Sequence, residues 1–155
     1  MLVVTHAVTG AVIGQLVKNS PLSFILGVVV HFLMDMIPHG DSADYKKFKE
    51  SNKIPKGQIY QLIFDNVIMF GLVIYLLVFK VDGYWWPTFW GIIGSILPDL
   101  AVGIHESRPN RFSKPLHRLH FMFHDIIVNR WKDVRLRYSI ILQLIALAIV
   151  ISQFI

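Results

Sequence analysis

The chain has 155 residues, enough for one domain and too few for two comfortable ones. Hydrophobic residues make up 54% and charged residues only 16%, with a mean hydropathy of +0.54, a balance that departs from soluble domains toward a protein solvated by lipid. The absence of cysteine excludes a disulfide framework and a thiolate metal site, so any metal has to be held by nitrogen and oxygen.

The opening MLVVTHAVTGAVIGQLVKNS lacks the basic start of a secretory signal, and Thr5, His6 and Thr9 interrupt its apolar run, so it is expected to stay in the mature chain as a helix over about 2–17. Further apolar runs predict helices over about 22–37, 58–79 and 85–104, each judged against the roughly 20 residues a bilayer needs. The more polar KPLHRLHFMFHDIIVNRWK follows as a short helix, re-entrant or interfacial, and an apolar helix over about 138–155 ends the chain. Pro21, Pro38, Pro55, Pro87 and Pro115 sit at or near these boundaries, where a missing N–H costs least. The expected fold class is therefore all-α: a polytopic membrane helical bundle of about five apolar helices plus one short polar-faced helix, a single domain over 1–155. The aromatic cluster YWWPTFW at 84–90 reads as an interface anchor.

Basic residues set an orientation. Lys46, Lys47, Lys49, Lys53 and Lys56 follow the second helix and Arg108, Arg111, Lys114 and Arg118 the fourth, whereas the opposite loops carry only Lys18 and Lys80. If the short helix does not cross, Arg130, Lys132, Arg135 and Arg137 join the basic side, which the positive-inside rule makes cytoplasmic. These cations serve topology first. They also suit anionic headgroups or phosphate esters.

The polar residues inside the apolar runs gather toward that same face. His6 opens the first helix, His31, Asp35 and His39 close the second, Asp65 lies in the first half of the third, and Asp99 lies near the end of the fourth. His105, His117, His120 and His124 follow, so all seven histidines fall there. Taken singly, each reads as a hydrogen-bonded core residue; together, ionisable groups at membrane depth mark function. His31 and Asp35 are four apart, as are His120 and His124, the spacing by which two helical side chains grip one ion. Asp65 divides evenly between direct ligation and pairing with a buried partner. Gly10 and Gly14 read as a packing stripe that brings His6 close to its neighbours, and Gly91 and Gly94 let another helix approach near Pro98 and Asp99. Imidazole with carboxylate suits zinc, with manganese or iron as alternatives, and the supply of ligands fits two or three ions bridged by Asp35, Asp65 or Asp99.

THAVTG at 5–10, HFLMDMIPHGD at 31–41, GSILPDL at 94–100 and the 117–124 histidines resemble small bacterial and archaeal integral-membrane proteins described as metal-dependent hydrolases, distant relatives of the all-helical, trinuclear zinc-dependent phospholipase C. The resemblance implies metal ligation by His6, His31, Asp35, Asp99 and the histidines among His117, His120 and His124, and a phosphate-ester substrate. HRLHFMFHD keeps the family's His-Arg pair as His117 and Arg118 but carries His120 and His124 where the family has a Thr-His-Ser triplet.

The leading expectation is a hydrolase of the prokaryotic cytoplasmic membrane, its site open to the cytoplasm, acting on a phosphate ester such as a lipid phosphate or phospholipid. Its ligand pool is His6, His31, Asp35, His39, Asp65, Asp99, His117, His120 and His124, with Asp65 and Asp99 also as catalytic carboxylates and Arg118 and Arg111 holding phosphate. Membrane lipid is the expected partner and nucleic acid is not. Two rivals are a proton- or cation-handling protein, disfavoured because FGLVIYLLVF at 70–79 and similar far halves are nearly free of polar residues, and a non-catalytic protein with a structural metal.

Overall fold

Apolar runs punctuated by prolines fold here as seven α-helices, with no strand among the described residues. They are α1 (Val3–Val17), α2 (Ser20–Asp35), α3 (Ser42–Ser51), α4 (Lys56–Phe79), α5 (Trp85–Ser107), α6 (Ser113–Trp131) and α7 (Leu136–Ile151). The structure, a computed structural model, describes residues 1–40, 42–51, 53–81, 83–131 and 133–152. Asp41, the last residue of the HFLMDMIPHGD motif, and Lys132 of the basic loops lie outside them.

Local chemistry explains the boundaries. Asn19 starts α2 by accepting the Leu22 amide at 3.0 Å, with Pro21 in the first turn where it forfeits no helical hydrogen bond. The start of α1 has no side-chain cap of its own. Its amides are met instead from other helices: Gln143 of α7 accepts from Leu2 at 2.6 Å, and the two oxygens of Asp65 on α4 accept from Val3 at 2.6 Å and Val4 at 3.1 Å. A carboxylate at a helix N-terminus also meets the positive end of the helix dipole.

The packing is organised around α5, which lies against α1, α2 and α6. Its contact with α1 and α2 is backbone on backbone. A Cβ on Gly10 would collide with the Gly91 carbonyl, and one on Gly27 would lie 2.6 Å from that same oxygen. Small residues let helices approach this closely, and the approach brings the polar ends of α1, α2 and α5 together. Val4, Ala7, Val8 and Ala11 of α1 fill the adjoining core with Met69 and Leu76 of α4, Ile92 of α5 and Leu147 of α7.

Two helices, α4 with 24 residues and α5 with 23, are long and apolar enough to cross a membrane. The other three apolar helices have 15 or 16 residues, about 22–24 Å at the helical rise against a hydrocarbon core of about 30 Å. The five apolar helices expected are thus present, two of them of spanning length. On α4, Phe64, Val67, Phe70 and Phe79 are exposed in a continuous apolar surface, unfavourable in water and suited to lipid. Helix α3 was not expected, because SADYKKFKES has no apolar run and reads as a basic loop.

A candidate metal centre

Four side chains from three helices converge at the end of the bundle. Each of His31 and Asp35 on α2, Asp99 on α5 and His120 on α6 offers one nitrogen or oxygen, and these atoms all lie within 4.8 Å of one another. His31 and Asp35 are fully buried, His120 is nearly so, and the Asp99 side chain is 23% exposed.

Among these four side chains one buried atom, Asp35 Oδ2, is left without a hydrogen bond. His31 Nδ1 lies 2.7 Å from the Ser95 carbonyl, which only accepts, so Nδ1 carries a proton and Nε2 is the atom turned into the cluster. His31 Nε2 faces Asp35 Oδ2 at 3.0 Å, is hydrogen-bonded to His120 Nδ1 at 3.3 Å and lies 3.7 Å from Asp99 Oδ1. Asp35 Oδ2 is buried with no hydrogen-bond donor among the described residues, a costly state for a carboxylate oxygen. Burial pushes the His120 imidazole down to about 4 against the pull of Asp35 and Asp99, which leaves it neutral near pH 7. His120 Nδ1 stands 3.5 Å from Asp35 Oδ2 and 3.8 Å from Asp99 Oδ1.

These separations fit an ion. Ligands about 2.0–2.2 Å from a tetrahedral centre stand about 3.3–3.6 Å from one another. The pairs given above stand 3.0–3.8 Å apart and no pair of the four atoms exceeds 4.8 Å, close to that spacing. Two imidazoles and two carboxylates match zinc, manganese or iron chemistry.

His6 supports the group from outside. Its Nε2 donates to Asp35 Oδ1 at 3.1 Å, and its ring lies 4.2 Å from that of His31, centroid to centroid. Such partners orient ligands and fix which oxygen faces inward. The amino group of Met1 also reaches Asp35 Oδ1, at 3.3 Å. The Ser95 carbonyl lies one turn before Asp99, next to Pro98, whose missing N–H interrupts the α5 ladder. A backbone acceptor leaves no signature in a sequence.

The remaining candidates lie elsewhere. Asp65 is spent on the α1 amides, which assigns it the supporting role of a cap and separates it from the four-atom cluster. His39 and His124 face each other with ring centroids 5.0 Å apart. His39 Nδ1 donates to the Ile37 carbonyl at 2.8 Å, and His124 Nδ1 lies 3.1 Å from Asp125 Oδ1. His117 Nε2 lies 2.7 Å from Glu106 Oε1, and its ring is tilted against that of His105 with centroids 4.4 Å apart. Glu106 also accepts from Tyr45 at 2.9 Å and from Lys49 at 2.8 Å, tying α3, α5 and α6 into one corner. This hub went unread in the sequence because Glu106 stands in a loop-like HES context.

Arg118 and Arg111 do not face the cluster. Arg118 is two positions from His120, so the two side chains leave opposite sides of α6, one exposed and the other buried. With Arg111, Lys114 and Met122 it lines a separate open hollow of about 480 Å³. The arginine that shares a depression with Asp99 is Arg108, at the end of α5. No family model, curated protein or solved structure matches the chain.

Proposed function

We propose that the chain is a membrane-embedded, metal-dependent hydrolase of a phosphate ester, and that the family resemblance of its motifs reflects common descent. The observation that carries this reading is the convergence of His31, Asp35, Asp99 and His120, whose ligand atoms all lie within 4.8 Å of one another and include a buried carboxylate oxygen, Asp35 Oδ2, left without a hydrogen bond among the described residues. An ion such as zinc supplies Lewis acidity there and lowers the pKa of water toward neutrality.

In this reading His31, held in one tautomer by the Ser95 carbonyl, and Asp35, steadied by His6, form the rigid wall. With His31, Asp35 and His120 as three fixed ligands and the fourth position left to water, Asp99, the accessible member, would be placed to take the proton from that water. Its exposure favours an open, catalytic site over a closed structural one. Helices α1, α2 and α7 complete the bundle within the bilayer, and the basic residues of α3 and of the segment after α5 hold this end at the cytoplasmic surface.

The test is hydrolysis of bis(p-nitrophenyl) phosphate and of a lipid phosphate in mixed micelles by zinc-loaded protein, wild type beside Asp99→Asn and His117→Gln. The expected result is turnover lowered at least 100-fold by Asp99→Asn and left within a few fold by His117→Gln. Activity indifferent to Asp99, or absent with zinc, manganese and iron alike, would contradict it.

A further inference from the structure

Helix α4 packs on α1 and barely touches α5. Between α4 and α5 lies a groove of about 680 Å³, open at its side, with walls that are largely apolar. That volume is within the usual range for a ligand site, about 300–1,000 Å³. Leu62 and Phe70 of α4 face Ile96 and Leu100 of α5 across it, and Met69 lies at its inner wall. Two charged side chains interrupt this lining. One is Asp99, the exposed member of the quartet. The other is Arg108, at the end of α5 where the basic residues cluster.

The order of these features along α5 matters. Ile96 lies beyond Asp99 toward the apolar middle of the helix, and Arg108 lies nine positions the other way, about 14 Å along the axis at 1.5 Å per residue. An amphiphile in the groove would thus have its chain beside Ile96, Met69 and Phe70 and its phosphate level with Asp99, with Arg108 at the groove's outer end. Arg108 has no carboxylate partner among the described residues. A guanidinium at the rim of an apolar slot suits an anionic headgroup. A water-soluble phosphate ester has no use for the apolar length beyond Asp99.

We infer that the α4/α5 groove is a lateral entry and binding site for a single-chain lipid phosphate, which reaches the His31, Asp35, Asp99 and His120 cluster from within the bilayer. The substrate class rests on the proposed hydrolase reading. The groove itself does not, because its occupancy is readable without turnover.

The test uses detergent-solubilised full chain, free of metal and then zinc-loaded, with a hexadecyl phosphate carrying a photoreactive diazirine on its chain. After illumination, labelled peptides are mapped. Labelling is expected within 62–70 and 96–104, to be competed by unlabelled hexadecyl phosphate and unaffected by p-nitrophenyl phosphate. Gly103→Leu supplies the blocking variant, since a Cβ at Gly103 meets nothing within 4 Å and leucine favours a helix over glycine. This substitution should lower groove labelling at least fivefold while metal content stays at the wild-type level.

Labelling spread over the exposed faces of α4 and α7, or groove labelling untouched by both competitor and Gly103→Leu, would overturn the inference. Groove labelling in a protein that neither binds metal nor hydrolyses phosphate esters would uphold the lipid site and reject the hydrolase. Turnover of soluble esters without groove labelling would do the reverse.

Discussion

Asp35 and Asp65 look alike as residues and differ in what surrounds them. Both are buried carboxylates in apolar helices of the same bundle, and both sit near the start of α1. Asp65 faces the N-terminal end of a helix, where its two oxygens accept two backbone amides at 2.6 and 3.1 Å. Asp35 accepts from His6 and the Met1 amino group on one oxygen, and turns the other toward ring nitrogens of His31 and His120 without a hydrogen bond. Burial alone therefore does not identify a metal site. The two carboxylates differ in where their oxygens find hydrogen bonds.

Opposite behaviour on substitution should separate the two regions. The largest effect is expected at Asp35. Zinc at a thousand times its dissociation constant stabilises a folded protein that binds it by about 4 kcal/mol, so the thermal midpoint of wild type should fall reversibly with chelator. Asp35→Ala should abolish that response, read in a melting assay with and without EDTA. At Asp65 the pattern inverts: removal of the carboxylate orphans two amides, costing about 1–3 kcal/mol, while the chelator response persists. Equal chelator responses in the two variants would break the distinction.

A smaller effect sharpens the role of His6. As an orienting partner rather than a ligand, its loss in His6→Ala should weaken metal affinity by about 10–100-fold without eliminating binding, the usual cost of removing such a group. Competitive titration with a chromogenic chelator measures this. Complete loss of the metal would make His6 a ligand.

The smallest effect concerns Asp133, away from both carboxylates. Burial alone would raise its pKa, but hydrogen bonds from Ser42, Gly40 and Val134 outweigh that and hold it below the usual carboxylate range. A depressed folded pKa contributes stability above the ordinary value of about 3.9, and this is lost as pH falls through the folded value. Asp133→Asn should therefore cost about 1 kcal/mol near neutrality, as for loss of a capping side chain, with the difference from wild type closing in acid. Denaturation at several pH values checks both parts.

Much of the fold was legible because apolar length and proline position mark helix ends directly. Pro21 and Pro55 stand within a residue or two of the observed starts of α2 and α4. Helix α3 was hidden because its lysines carry the same topogenic signal whether helical or not. The cluster was legible as a convergence of His31, Asp35, Asp99 and His120 on one end. Membership was not, since QLIFDNVIMF around Asp65 reads like the run around Asp35, and only the packing of α1 decides which carboxylate meets amides. Ser139 and Gln143 did carry a readable signal. They are four apart in an apolar helix, and they join α7 to the site end through the His39 carbonyl at 2.6 Å and the Leu2 amide at 2.6 Å. A phosphate role for Arg118 rests on its nearness in sequence to His117, which ignores that adjacent helical positions point apart.

The most direct measurement is elemental analysis of detergent-purified protein, reporting moles of metal per chain for wild type, Asp35→Ala, His120→Ala and Asp65→Ala. Near-stoichiometric zinc, manganese or iron in wild type and Asp65→Ala, reduced to background in Asp35→Ala and His120→Ala, is the expected result. Metal lost from Asp65→Ala as from Asp35→Ala, or no metal in wild type even after reconstitution, would contradict a centre built from His31, Asp35, Asp99 and His120.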